Sequence, residues 1–132
     1  MERVADAMHW GLVHCAPDAT LREVATLMAD AVVHCVVVIE DAGDRAALWG
    51  VVSDLDLVAA AGVRDLDAQS AGGSAATPAL AISPDDTLHR AAQMMTEHAA
   101  AHLLVVDEES RTPVGVLSTL DIARLLADRS RG

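Results

Sequence analysis

The sequence predicts an α+β fold built from one small unit used twice, and three observations predict it. Gly50-Val51-Val52-Ser53-Asp54-Leu55-Asp56 returns 65 residues later as Gly115-Val116-Leu117-Ser118-Thr119-Leu120-Asp121. Both copies fit Gly-h-h-Ser-x-Leu-Asp, where h is apolar. Pro17-Asp18-Ala19-Thr20-Leu21 returns 67 residues later as Pro84-Asp85-Asp86-Thr87-Leu88. Between these landmarks the hydrophobic period changes in the same order in both halves. The two-residue difference falls in a turn, Asp41-Ala42-Gly43-Asp44-Arg45 against Glu108-Glu109-Ser110-Arg111, where a surface hairpin absorbs length.

Each half opens with an extended piece, Leu12 to Ala16 and Ala79 to Ser83. A helix follows. In the first half Thr20 and Glu23 form a Ser/Thr-x-x-Glu capping box ahead of the stripe Leu21, Val24, Ala25, Met28. The second half repeats the stripe as Leu88, Ala91, Ala92, Met95, but Arg90 stands at the acidic position, so its cap is weaker unless Asp85 or Asp86 substitutes. The apolar runs Cys35 to Ile39 and Leu103 to Val106 read as strands buried on both faces, and Leu48 to Val52 and Val114 to Leu117 as their partners. Final helices start near Leu55 and Leu120. Residues 1–61 form the first repeat with a lead-in at Arg3 to Met8, 62–77 a Gly/Ser-containing connector with one short helix, and 78–129 the second repeat. One unit exposes an apolar sheet face, so two half-domains are expected to share one core.

A chain of 132 residues that is 52% hydrophobic can close its own core. With no Phe or Tyr, that core must come from Val, Leu, Ile, Met and Ala, and Trp10 and Trp49 are expected to be buried beside Gly11 and Gly50, the alternative being that a purine stacks on one of them. Nine arginines and no lysine face 20 carboxylates, net −11, which lacks the basic footprint of a nucleic-acid binder. The longest nearly apolar run, Ala31 to Ile39, is far below the roughly 20 residues a membrane helix needs. Met1-Glu2-Arg3 lacks a secretory pattern, so a cytoplasmic location is expected. Cys15 and Cys35 lack the spacing of a zinc site and are expected to be reduced and structural.

The repeated heptapeptide has chemistry of its own. Gly50 and Gly115 remove a side chain where a ligand or backbone comes close. Ser53 and Ser118 stand where strand becomes helix, so their hydroxyls can bond an orphan amide or a phosphate oxygen. Asp56 and Asp121, three residues on, can accept both hydrogens of a ribose diol. Helix capping alone explains one such pattern; its recurrence favours ligand seats.

The order of elements, the Pro-Asp-x-Thr-Leu turn, the Val-Val-Val-Ile-Glu and Leu-Val-Val-Asp strands and the doubled heptapeptide closely resemble the tandem CBS domain family, named for cystathionine β-synthase. The resemblance covers nearly the whole chain. It implies two β-α-β-β-α repeats related by a pseudo-two-fold axis, packed into one globular module with two clefts between them. It also implies a stand-alone regulatory sensor binding an adenosyl ligand (AMP, ADP/ATP or S-adenosylmethionine) in those clefts, pairing as a homodimer and modulating a separate enzyme or transporter. Family placement puts ribose and phosphate on Ser118, Thr119, Asp121, Ser53 and Asp56. It puts adenine near Cys15, His34, Cys35 and Val36, and near Ile82, Ala101, His102 and Leu103.

Departures from the family separate the two seats. A basic residue often precedes the family's aspartate, but Asp54-Leu55 and Thr119-Leu120 stand here, so neither seat gains a local cation. Asp54 adds like charge near any phosphate, about 1 kcal/mol of repulsion at 4 Å in water. The second seat, with hydroxyls from Ser118 and Thr119, is therefore expected to be the better one for phosphate. Arg22, Arg90 and Arg124 are the candidates to reach it from neighbouring elements. Six histidines, His9, His14, His34, His89, His98 and His102, raise structural zinc as a lesser alternative, although adjacent His and Cys on a strand point to opposite faces. There is no catalytic triad, phosphate loop or paired acid and base, so no catalytic residue, no enzyme activity, no metal and no resident cofactor is expected. The main alternative is a ligand-free dimerisation scaffold, with Leu55, Leu57, Ile122 and Leu126 as the apolar residues available for pairing.

Overall fold

A computed structural model describes residues 2–40, 48–75 and 79–129. The elements are α1 (Val4–Ala7), β1 (His9–Trp10), β2 (His14–Cys15), α2 (Leu21–Ala31), β3 (Cys35–Glu40), β4 (Leu48–Ser53), α3 (Asp54–Ala61), α4 (Ala71–Ser74), β5 (Ala81–Ile82), α5 (Leu88–His98), β6 (His102–Val106), β7 (Pro113–Ser118) and α6 (Thr119–Arg129). A 3-10 turn at Leu66–Ala68 precedes α4. The fold is α+β, with β-α-β-β-α occurring twice. The first hairpin turn, expected at Asp41 to Arg45, and the side chain of Trp49 lie outside the described residues.

Two compact units make up the chain: Val13–Ala79, and the stretch up to Leu12 joined with the stretch from Leu80 onward. These units are offset from the repeat boundaries 1–61 and 78–129. The offset has a local cause at each end. In the lead-in, Val4 N–H donates to Asp86 O at 2.8 Å and Ala5 N–H to Pro84 O at 2.9 Å, while Val4 and Met8 enter a core with Ile82, Met95, Leu103 and Leu117. The lead-in thus packs with the second repeat. The connector instead folds back on the first: Leu21 N–H donates to Gln69 O, and Arg22 holds Asp67 at 2.8 Å and Asp65 at 3.1 Å. Ala71, fully buried, joins a core of Leu21, Val24, Val36 and Val52.

In the Val13–Ala79 unit the sheet order is β2-β3-β4, parallel then antiparallel. Residues Cys35 to Val38 are all buried, as their unbroken apolar run predicts. Thr20 Oγ1 accepts the Glu23 N–H and Glu23 accepts the Thr20 N–H, both at 3.1 Å, completing the capping box that starts α2. The other unit has the order β1-β7-β6-β5. Here Thr87 Oγ1 accepts the Arg90 N–H but nothing returns from Arg90, and Asp86 is spent on the Ser83 N–H, so the α5 cap is the weaker one.

Helices α2 and α5 stop in the left-handed region on residues that are not glycine, Val32 at φ 54° and Ala99 at φ 50°. At Gly115 a Cβ would collide with the His9 carbonyl oxygen and come within 2.5 Å of Met8 Cε. Glycine is therefore what lets β1 lie against β7, where Trp10 pairs with Gly115. Trp10 itself is 60% exposed, contrary to the burial expected of it, because this two-residue strand turns it outward.

Gly115→Ala is expected to destabilise the fold by about 3 kcal/mol, since the colliding atom is backbone and cannot repack. Val32→Gly is expected to stabilise it by about 1 kcal/mol, because it relieves a β-branched residue at positive φ. Urea unfolding midpoints at constant slope check both.

Candidate ligand seats at the strand-to-helix junctions

Each unit carries the same junction. Ser53 ends β4 and its Oγ accepts the Asp56 N–H at 3.2 Å, while Asp56 Oδ2 accepts the Ser53 N–H at 2.9 Å. Ser118 ends β7 and repeats both bonds with Asp121, at 3.1 Å and 2.8 Å. The first amide of each helix is taken by the carbonyl just ahead of the neighbouring strand: Asp54 N–H donates to His34 O at 2.9 Å, and Thr119 N–H to Ala101 O at 3.0 Å.

Register brings the adenine candidates beside these junctions. Ser53 lies opposite Cys35, and Ser118 opposite His102. Cys15 pairs with Val38, and Ile82 with Val105, each three residues along the strand from the serine's partner. At about 3.3 Å per residue that separation is roughly 10 Å, a span suited to a nucleoside. Val36 and Leu103 are fully buried and Ile82 is 5% exposed, so their side chains belong to the cores. They offer a ligand only main chain. His34 and Ala101 are exposed, and His102 and Cys15 half-buried.

The seats then diverge. In the first, Asp54 is not a bare charge: Oδ2 lies 3.0 Å from His34 Nδ1, and Oδ1 accepts the Leu55 N–H at 2.9 Å. That carboxylate occupies a helix-start amide a phosphate would otherwise use. In the second, Thr119 carries no charge, and Arg124 brings Nη1 to 4.0 Å from Asp121 Oδ1. No basic residue stands between the serine and the aspartate of either seat, and of the three arginine candidates Arg124 stands one turn along the same helix face as Asp121. Arg22 is committed to Asp65 and Asp67, while Arg90 is exposed on α5.

The sequence reading missed the partner of Asp121. His9 Nδ1 lies 2.8 Å from Asp121 Oδ1, joining a 68% exposed ring to a carboxylate that is 3% exposed. Nothing in the heptapeptide signals it, because His9 arrives on β1 from the opposite end of the chain.

A CBS domain family model matches residues 4–62 and 73–128. The chain belongs to the CBS domain family. It is 27% identical over 124 residues to the CBS domain-containing protein YhcV of Bacillus subtilis (strain 168), across 93% of this chain and 84% of that one. Among solved structures it is similar to the CBS domain protein PAE2072 from Pyrobaculum aerophilum complexed with AMP, with 30% identity, TM-score 0.80, and coverage of 98% and 99% of the two chains. It also shares its fold with the CBS domain pair of protein MJ0100 in complex with 5'-methylthioadenosine and S-adenosyl-L-methionine, with 16% identity, TM-score 0.83 and 98% coverage of each chain. Both CBS repeats expected from the ordered features of the two halves are thus present.

Other polar groups near the seats have structural duties. Burial first, then the Glu23 and Asp18 carboxylates, push the Cys15 thiol above its ordinary range. Asp65 is held below the usual carboxylate range by the Asp67 N–H first and the Arg22 guanidinium second. Among the described residues no three His, Cys, Asp or Glu side chains group closely enough for a metal ion.

A raised thiol pKa leaves less thiolate near neutrality. Cys15 is therefore expected to alkylate more slowly with iodoacetamide at pH 8 than a small free thiol, and Asp18→Asn to speed it by removing one of the raising charges. Peptide mass spectrometry over a time course checks this.

Proposed function

We propose that this CBS domain pair is a regulatory module that binds an adenosyl ligand at its serine–aspartate junctions and modulates a partner protein, an enzyme or transporter, rather than catalysing a reaction itself. The observation that carries the reading is the same Ser-x-x-Asp hydrogen-bonded junction in both repeats, with Cys15 and Ile82 two strands across and three residues along from the serine. Its support from outside the chain is the AMP complex of the relative that is 30% identical over nearly its full length.

In this reading Asp56 and Asp121 receive the ribose diol, Ser53, Ser118 and Thr119 face the sugar and phosphate, and the main chain near Cys15, His34, Cys35 and Val36, or near Ile82, Ala101, His102 and Leu103, receives adenine. Arg124 supplies the cation that an AMP phosphate needs at the second seat, and Asp54 turns the first toward ligands without phosphate, such as adenosine or the sulfonium of S-adenosylmethionine. No helix among the described residues is long and apolar enough to cross a membrane. A cytoplasmic, homodimeric protein fits the acidic composition and the exposed Leu55 and Val58 on α3 and Leu120 and Leu126 on α6. The expected pairing residues divide: Leu57 and Ile122 pack on the cores, and Leu55 and Leu126 remain available.

A ligand-free dimerisation scaffold is the second reading, and the internal pairing of Asp121 favours it. Calorimetry with AMP, ADP, ATP and S-adenosylmethionine separates the two. Binding of at least one ligand is expected, with Asp56→Ala and Asp121→Ala each weakening its own seat by about 1.5–3 kcal/mol, the range of a hydrogen bond to a charged group. Heat from none of the four, with an unchanged thermal midpoint, favours the scaffold.

A further inference from the structure

The carboxylate proposed to receive ribose in the second repeat is already engaged at both oxygens. Asp121 Oδ2 accepts the Ser118 N–H at 2.8 Å, Oδ1 meets His9 Nδ1 at 2.8 Å, and Arg124 Nη1 stands 4.0 Å away. In the first repeat Asp56 is only half-buried, its Oδ2 accepts the Ser53 N–H, and no side chain among the described residues meets its second oxygen. The two aspartates share a motif and differ in availability.

His9 is the movable half of the contact. Its ring is largely exposed, whereas Asp121 is locked into the helix start. It rides on β1, an edge strand of two residues held to β7 by the pairs His9↔Val116 and Trp10↔Gly115. A buried carboxylate oxygen does not give up a polar neighbour without a replacement, and a ribose diol carries two O–H donors at the spacing of one carboxylate.

We infer that His9 is a latch on the second seat: its ring nitrogen Nδ1 lies against Asp121 Oδ1 when no ligand is bound, and a ribose diol binds by displacing the ring and taking over Oδ1. This rests on the reading of Asp121 as a ribose acceptor and adds its regulation. Occupancy of the seat frees the His9 ring, while β1 and α1 stay held by their main-chain bonds and core packing, so ligand binding is reported at an exposed side chain of the N-terminal segment. His9 is a positioning residue and makes no contact with the ligand's phosphate.

The test uses the full chain in an Asp56→Ala background, so that only the second seat reports, with AMP and adenosine titrated by calorimetry. His9→Ala is expected to tighten binding about tenfold, while His9→Asn, which keeps a donor, stays near the parent. The His9 ring resonances of the parent are expected to shift on saturation with AMP, a readout that decides the matter even if His9→Ala folds poorly. Equal or weaker binding by a folded His9→Ala, or His9 resonances unmoved at saturation, overturns the latch and leaves the seat standing. Absence of binding in parent and variants alike overturns the seat itself, and the latch with it.

Discussion

The reciprocal pair of hydrogen bonds between serine and aspartate at each strand-to-helix junction is the constraint on which the rest depends. It turns the chain from β4 into α3 and from β7 into α6, satisfying helix-start amides that would otherwise be orphaned. The same bonds spend one oxygen of each aspartate on the fold and fix where the other points. Cap and candidate seat are thus one arrangement. The second oxygen is where the repeats part, met by no side chain among the described residues on Asp56 and faced by His9 at 2.8 Å on Asp121.

Close backbone approach is the second theme, and it follows from a composition without Phe or Tyr. Valine-rich strands and alanine-rich helices leave little bulk to fill gaps, so elements come together at main-chain distance. Gly115 against the His9 carbonyl is the sharpest case. The glycine of the heptapeptide serves a backbone neighbour there, which is one of the two roles the pattern allows. That packing also delivers His9 to Asp121, linking a residue chosen for space to one chosen for charge.

Much of the fold was legible because its signals are local. Periodicity located α2 and α5, unbroken apolar runs located β3 and β6, and the Thr20–Glu23 box gave the start of α2 to the residue. What escaped the sequence was set by long-range pairing. The lead-in docks onto Pro84 to Asp86 through main-chain bonds, which leave no side-chain pattern to read. The connector likewise closes on α2 through Arg22, an arginine that looked available for phosphate until Asp65 and Asp67 were placed beside it. The site was legible in the same measure. Ser53, Asp56, Ser118 and Asp121 announce themselves by spacing, whereas the pairing of His34 with Asp54 and of His9 with Asp121 depends on which strands become neighbours.

Duplication therefore sets the two seats equal, and residues outside or within the motif make them unequal in different currencies. At the first seat Asp54 places a carboxylate on the Leu55 amide and draws in His34, so the anion position is filled by the protein itself. At the second, Thr119 leaves that position uncharged and Arg124 and His9 both lie near Asp121 Oδ1. On the proposed reading, one seat is open to ribose and closed to phosphate, and the other favours phosphate and is latched at ribose. A ligand carrying both groups must satisfy the second seat's latch before it gains the arginine, so the phosphate's contribution is coupled to the release of His9. Such coupling would tie occupancy to the release of one exposed side chain, a differential contact of the kind by which a ligand shifts an equilibrium.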